Sequence, residues 1–136
     1  MTDPIPPELL GAYEETWVEV ELDEGRFTFA PVREGAPRML PTVLSPHGFV
    51  ITACNPFSQR LDEDENERRN GELEARMREE GWSIFPALGR DAEGEWREPS
   101  FAVVAPPVLP LLKLAREYEQ NSVFEWGPGI WRVVVI

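Results

Sequence analysis

Glu98 stands between Arg97 and Pro99, just ahead of the apolar run Phe101–Ala105. A carboxylate in that setting can serve as a general base, or as an acceptor that orients Asn66 or Arg69. The plainer alternative is a salt bridge at a strand edge. Arg69 carries a planar fork of donors suited to a carboxylate or a phosphate. Asn66, three residues earlier on a helix, can act with it on one acceptor. Asn55-Pro56 reads either as a ligand-facing turn or as an ordinary strand stop. Glu98 is therefore the candidate catalytic group. The ligand-binding candidates are Asn55, Asn66, Arg69, Asn70, Glu98, Ser100, Gln120 and Asn121.

Composition removes other chemistries. The chain has one Cys, Cys54, and one His, His47. That excludes an intrachain disulfide, a multi-cysteine zinc site and a His-rich metal centre. Cys54 lies inside an apolar stretch and reads as a small core residue. The run Asp62–Glu65 could draw a divalent cation, but it reads first as the solvated start of a helix. There is no phosphate-binding Gly-rich loop, nucleophile elbow, H-E-x-x-H or dinucleotide fingerprint. No metal and no cofactor are expected.

The net charge is −12. Phosphate binding draws on Lys and Arg, so nucleic acid is not an expected partner. An anionic membrane surface would repel the chain for the same reason. No apolar run approaches the roughly 20 residues that span a bilayer. Met1–Leu10 is proline-rich and acidic, with no basic lead-in, so no signal peptide is expected and the cytoplasm is the default location. A length of 136 residues, 42% of them hydrophobic, suits a single domain over 1–136.

The elements that must position these residues follow from pattern. Pro6–Thr16 reads as a short helix, Trp17–Leu22 and Arg26–Ala30 as a hairpin, and Pro31–Pro46 as a loop over the surface. Gly48–Cys54 is a nearly continuous apolar run rich in β-branched residues, the pattern of a strand buried on both faces in a parallel sheet. Asp62–Glu80 is the clearest helix, with Asp62 as cap, Glu65 as its capping-box partner and Gly81 as stop. Trp82–Leu88 and Trp96–Ala105 are strands around the turn Asp91–Glu95. A helix follows from Pro106 to about Glu119. Ser122–Trp126 and Ile130–Ile136 close as a hairpin. The order is α-β-β-β-α-β-β-α-β-β. The expected fold is α+β, a mixed and mostly antiparallel sheet with helices packed on it. Its one parallel feature is a right-handed β-α-β crossover over residues 48–88.

On the Asp62 helix, Leu73 and Met77 mark the side that meets the sheet. Steps of three and four place Asn66, Arg69 and Asn70 on that same side. Polar groups there need partners, unless this half of the helix overhangs the sheet and is solvated. The crossover sets the end of its first strand, Thr52 and Asn55, beside Asn66 and Arg69. The hairpin brings Glu98 and Ser100 to the end of the second strand. A seven-residue strand rises about 23 Å and a thirteen-residue helix about 20 Å, so Gln120 and Asn121 should return to that edge. Carboxyl ends of parallel strands are a usual ligand position.

The segments ITACNP (51–56), ENERRNGELEARMREEG (65–81), PALGRD (86–91), WREPSFAVV (96–104) and LAREYEQNSVFEW (114–126) together resemble a bacterial family, domain of unknown function 3293. The opening helix with Tyr13 also fits, and the likeness runs from about Leu9 to Ile136. The resemblance implies positions rather than an activity. It marks Asn55, Pro56, Asn66, Arg69, Asn70, Gly89, Glu98, Pro99, Ser100, Gln120 and Asn121, and it does not require a cysteine at Cys54.

Three functions are compatible with these residues. The first is a binding domain whose polar edge holds a small polar or anionic ligand, or a peptide. The second is a small hydrolase or transferase, with Glu98 as acid-base and Arg69 as anion clamp. The third is a structural or regulatory protein-interaction domain whose acidic face meets a basic partner. The expected partner is a small molecule or a protein. Oligomeric state is left open.

Overall fold

Val18 and Val20 alternate with Trp17, Glu19 and Glu21, a two-residue period that makes strand β1 (Trp17–Leu22) with one buried face. It turns back into β2 (Gly25–Phe29). The computed structural model describes residues 5–136; residues 1–4, which begin the proline-rich opening segment, lie outside the described residues. Ahead of β1 runs α1 (Pro7–Glu14). After it come β3 (Gly48–Ile51), α2 (Glu63–Glu79), β4 (Ser83–Arg90), β5 (Arg97–Val104), α3 (Val108–Glu117), β6 (Ser122–Gly127) and β7 (Ile130–Val135). The order of elements matches that read from the sequence.

The topology does not. The seven strands form one sheet in the order β2-β1-β4-β5-β3-β6-β7, and every pairing among the described residues is antiparallel. The expected parallel β-α-β crossover is absent as a pairing. β5 returns from its hairpin with β4 and inserts between β4 and β3, pairing with both. β3 and β4 still run the same way, because each is antiparallel to β5. The crossover helix α2 therefore joins two strands whose ends share an edge but do not touch.

The burial of β3 on both faces also has another cause. All four of its residues are buried. Phe49 and Ile51 face a core built with Leu73 and Met77 of α2 and Leu111, Leu114 and Ala115 of α3. Val50 faces a second core that holds Val18, Val20, Phe29, Trp126 and Trp131. This second core exists because the sheet curls until its outer strands meet. Phe29 of β2 stacks on Trp131 of β7 at 4.2 Å, and the Trp131 indole N–H donates to the Ala30 carbonyl at 2.7 Å. The segment Pro31–Pro46 is not only a surface loop. It plugs the concave side with fully buried Leu44 and with Val32, Ala36 and Leu40.

Asp62 caps α2 as expected, accepting from the Glu65 N–H at 2.8 Å. The reciprocal half of the capping box is not made, since the Glu65 carboxylate turns to Arg68. No helix among the described residues is long and apolar enough to cross a membrane.

Candidate functional site

β3 stops at Ile51, three residues short of the expected end, and the reason lies in the opposing strand. Ile51 pairs with Phe101, so the same register carried two residues further would set Ala53 against Pro99. Pro99 has no N–H to give the ladder. Side chains from α2 take its place. The Asn70 carboxamide accepts from the Ala53 N–H at 2.8 Å and donates to the Pro99 carbonyl at 2.9 Å, bridging the strands as a peptide group would. Arg69 Nε donates to the Ala53 carbonyl at 2.6 Å. Thr52 Oγ1 donates to the Pro99 carbonyl at 2.8 Å and accepts from the Cys54 N–H at 3.1 Å.

The chain then turns through a left-handed stretch. Asn55, Phe57 and Ser58 have φ of 49°, 52° and 61°. Asn tolerates that region; for Phe it is a strained conformation that the surroundings must impose. Asn66 accepts from the Asn55 N–H and donates to Asn55 Oδ1, both at 2.9 Å. Asn55 Oδ1 also accepts from the Leu61 N–H, closing the loop on itself. The Phe57 N–H donates to the Glu119 carbonyl at 2.6 Å. Ser58 Oγ accepts from Asn121 Nδ2 at 2.9 Å and is hydrogen-bonded to the Tyr13 hydroxyl of α1. Gln120 Nε2 donates to the Cys54 carbonyl at 3.0 Å. α1, α2 and the stretch after α3 thus hold one loop, and Phe57 stands 52% exposed on it.

The structure brings several of the expected residues to one edge, with partners other than those expected. Asn55, Asn66, Arg69, Asn70, Gln120 and Asn121 all meet at the edge where β3 and β4 end. They are spent on one another and on backbone groups. Arg69 and Glu98 do not pair. The two short bonds of Arg69 go to carbonyls, of Ala53 and of Tyr118 (2.6 Å), and Glu119 is only a 3.9 Å neighbour. The Nε–Nη2 side of this arginine is thus committed to backbone carbonyls. Ser100 is buried beside the network, its hydroxyl bonded to the Glu98 carbonyl at 3.1 Å. His47 lies at the other end of β3, where its Nε2 is 2.9 Å from Glu125 Oε2. Sequence reasoning missed Ser58, Phe57 and Trp96. Proline after Asn55 was the available signal for the loop; nothing local marks the left-handed residues that follow.

Glu98 is the one site carboxylate, and it is not in an ion pair among the described residues. Its Oε2 accepts from Asn55 Nδ2 at 2.9 Å. Burial pushes its carboxyl up from the usual 4.5 to about 7, while the Asn55 bond pulls the other way. Cys54 is buried, and burial raises its thiol to about 11, which disfavours the thiolate a nucleophile needs. Among the described residues no three His, Cys, Asp or Glu side chains are grouped to hold a metal.

The raised carboxyl has a measurable consequence. Folded Glu98 keeps a proton that the unfolded chain releases between about 4.5 and about 7. Its contribution to stability therefore falls as pH rises through that window and stays low above it. Glu98→Gln can still accept from Asn55 but does not titrate. The variant should melt with the wild type below pH 4.5, and increasingly above it as pH approaches 7. Thermal melts of both proteins across this range check the sign; a constant gap would place the carboxyl at its ordinary value.

The model of a family described as Protein of unknown function (DUF3293) matches residues 51–123, more than half of the chain. The chain belongs to that family. The matched span runs from the end of β3 to the start of β6 and includes α2, β4, β5, α3 and every polar residue of the loop network except Tyr13. No curated protein and no solved structure matches the chain.

Proposed function

We propose that this DUF3293 domain is a binding module that recognises a short peptide segment through the Asn55–Leu61 loop and the adjoining Glu98. The observation that carries this reading is the cluster of left-handed non-glycine residues, Asn55, Phe57 and Ser58, held by the side chains of Tyr13, Asn66 and Asn121 from three other segments. Strain of this kind persists where a preorganised surface is useful, since a loop already fixed loses less entropy on binding. The half-exposed Phe57 supplies an aromatic anchor of the sort that dominates interface energies. Two features of Arg69 argue against a ligand anion: its Nε and Nη2 already donate to backbone carbonyls, and the Glu119 carboxylate lies 3.9 Å from its Nη1. The charge of −12 argues against nucleic acid as the partner.

Phe57→Gly separates recognition from folding. Glycine accepts φ 52° without strain, so the melting temperature should stay within a few degrees. Peptides selected from a random display library against the wild type should lose about tenfold or more in affinity for the variant, the effect of one anchor. Unchanged affinity across all selected peptides would remove the loop from the binding surface. A second reading, that Glu98 is a general acid-base of a small hydrolase or transferase, is favoured by a carboxyl poised at about 7. It would require turnover that Glu98→Gln abolishes.

A further inference from the structure

We propose that the carboxyl edge takes a cationic side chain, the guanidinium of an arginine or the ammonium of a lysine in a peptide, between the Glu98 carboxylate and the Trp96 indole. This rests on the peptide-binding reading above and names the chemistry of its ligand.

Trp96 stands one residue before β5, and Glu98 is the second residue of that strand. Glu98 is paired with Gly89 of β4, which has no side chain to stand between them. The Trp96 ring lies over that gap: its Cη2 and Cζ3 are 3.6 and 3.8 Å from where a Gly89 Cβ would be. The hairpin end that carries Trp96 is fastened on both sides. The Asp91 N–H donates to the Trp96 carbonyl, and the Trp96 N–H donates to Asp91 Oδ2, each at 3.2 Å. Yet Trp96 remains 41% exposed. A large aromatic ring held in place but left open has a face to offer.

The carboxylate is held the same way. Asn55 Nδ2 fixes Oε2, and Oε1 has no hydrogen-bond partner among the described residues. No buried side-chain oxygen or nitrogen among those residues lacks a partner, so Oε1 reaches solvent. Elsewhere in this chain carboxylates at strand positions are matched by arginines, as Glu19 is by Arg26 and Arg90, and Glu125 by Arg132. Glu98 is not. A half-desolvated anion with one free oxygen, beside an exposed aromatic face, offers the charge-assisted acceptor and the ring quadrupole that together recognise a cation. The negative field of the whole chain adds a long-range attraction for the same sign of ligand.

The test is an NMR titration of the ¹⁵N-labelled protein with three probes: N-acetyl-arginine amide, N-acetyl-lysine amide, and N-acetyl-citrulline amide as the neutral isostere of the first. The expected result is a saturable shift of the Trp96 indole N–H and of the β5 amides with both cations. Citrulline should bind about tenfold more weakly or not at all, the loss expected when a charge-assisted bond becomes a neutral one. Glu98→Gln should weaken arginine binding by a similar factor. Trp96→Ala should weaken it several-fold, with an otherwise preserved amide spectrum. Equal binding of citrulline and arginine, indifference to Glu98→Gln, or no saturable shift at Trp96 would each overturn the proposal. The display-selected peptides separate the two readings. Neutral or acidic peptides that depend on Phe57 but not on Glu98 would sink the cation site and leave the recognition loop standing. Arginine binding at Glu98 and Trp96 with no role for Phe57 would do the reverse.

Discussion

Replacing Gly48 by alanine is expected to be the most damaging single-methyl change in this protein. Gly48 opens β3, paired with Val104 on one side and Trp126 on the other. A Cβ there would fall inside the contact radii of the Trp126 ring and of the Val103 carbonyl oxygen. Neither can yield cheaply. The Val103 oxygen belongs to β5, the strand that joins the two halves of the sheet. The Trp126 ring is fully buried, its indole N–H donates to the Leu44 carbonyl at 2.7 Å, and Phe29 packs on it at 5.5 Å. Shifting the ring would break that bond and push the plug segment out of the concave core. Overpacking typically costs about 1–3 kcal/mol, and this position should lie at or above the top of that range. For a domain of this size the melting temperature should drop by roughly 10 °C. A Gly48→Ala protein that melts within about 2 °C of the wild type would mean the ring has room to move, contrary to the packing described.

Arg69→Met should be nearly as costly, for a different reason. Arg69 is buried to 13% side-chain exposure, and its guanidinium ties the Ala53 carbonyl at the end of β3 to the Tyr118 carbonyl at the end of α3. Methionine fills much of the volume but leaves both carbonyls without that donor. Hydrogen bonds to charged groups contribute about 1.5–3 kcal/mol each, and the two share one side chain, so about 3 kcal/mol is the expected loss by urea denaturation. Arg69→Lys should recover only part of it, because one ammonium cannot span two carbonyls as the fork does. Hydrogen exchange offers a local check. The Phe57 amide, bonded to the Glu119 carbonyl next to Tyr118, should lose protection ahead of the β4–β5 amides. If Arg69→Met were neutral, the arginine would be a spectator and free to serve a ligand after all.

Glu98 shows how far residue type alone can lead. Its sequence position beside Arg97 and Pro99 marked it as an acid-base candidate or a salt-bridge partner. Only its surroundings decide between them: half-burial raises its carboxyl to about 7, and no cation among the described residues reaches it. Pro99 is the more instructive neighbour. As a letter it reads as a strand breaker; in the sheet it is the missing donor that obliges Asn70 and Arg69 to complete the ladder. The polar stripe on α2 was visible as a periodicity, and the need for partners followed from it. That those partners are backbone groups rather than Glu98 or a ligand was not legible, because it depends on where β3 frays.

The sequence by itself determined the order of elements, the acidic charge, the family, and the gathering of polar residues at one edge. These depend on local pattern and on which way each element carries the chain, and both are read along the chain. Tertiary structure alone decided the pairing of strands. A doubly buried strand has the same apolar pattern whether parallel neighbours or a curled antiparallel sheet cover it, so Gly48–Ile51 could not reveal that β5 stands between β3 and β4. It also decided the left-handed turn at Asn55–Ser58. That conformation is imposed by Asn66, Glu119, Asn121 and Tyr13, contacts 11 to 63 residues away along the chain, which no local preference of Phe57 or Ser58 encodes.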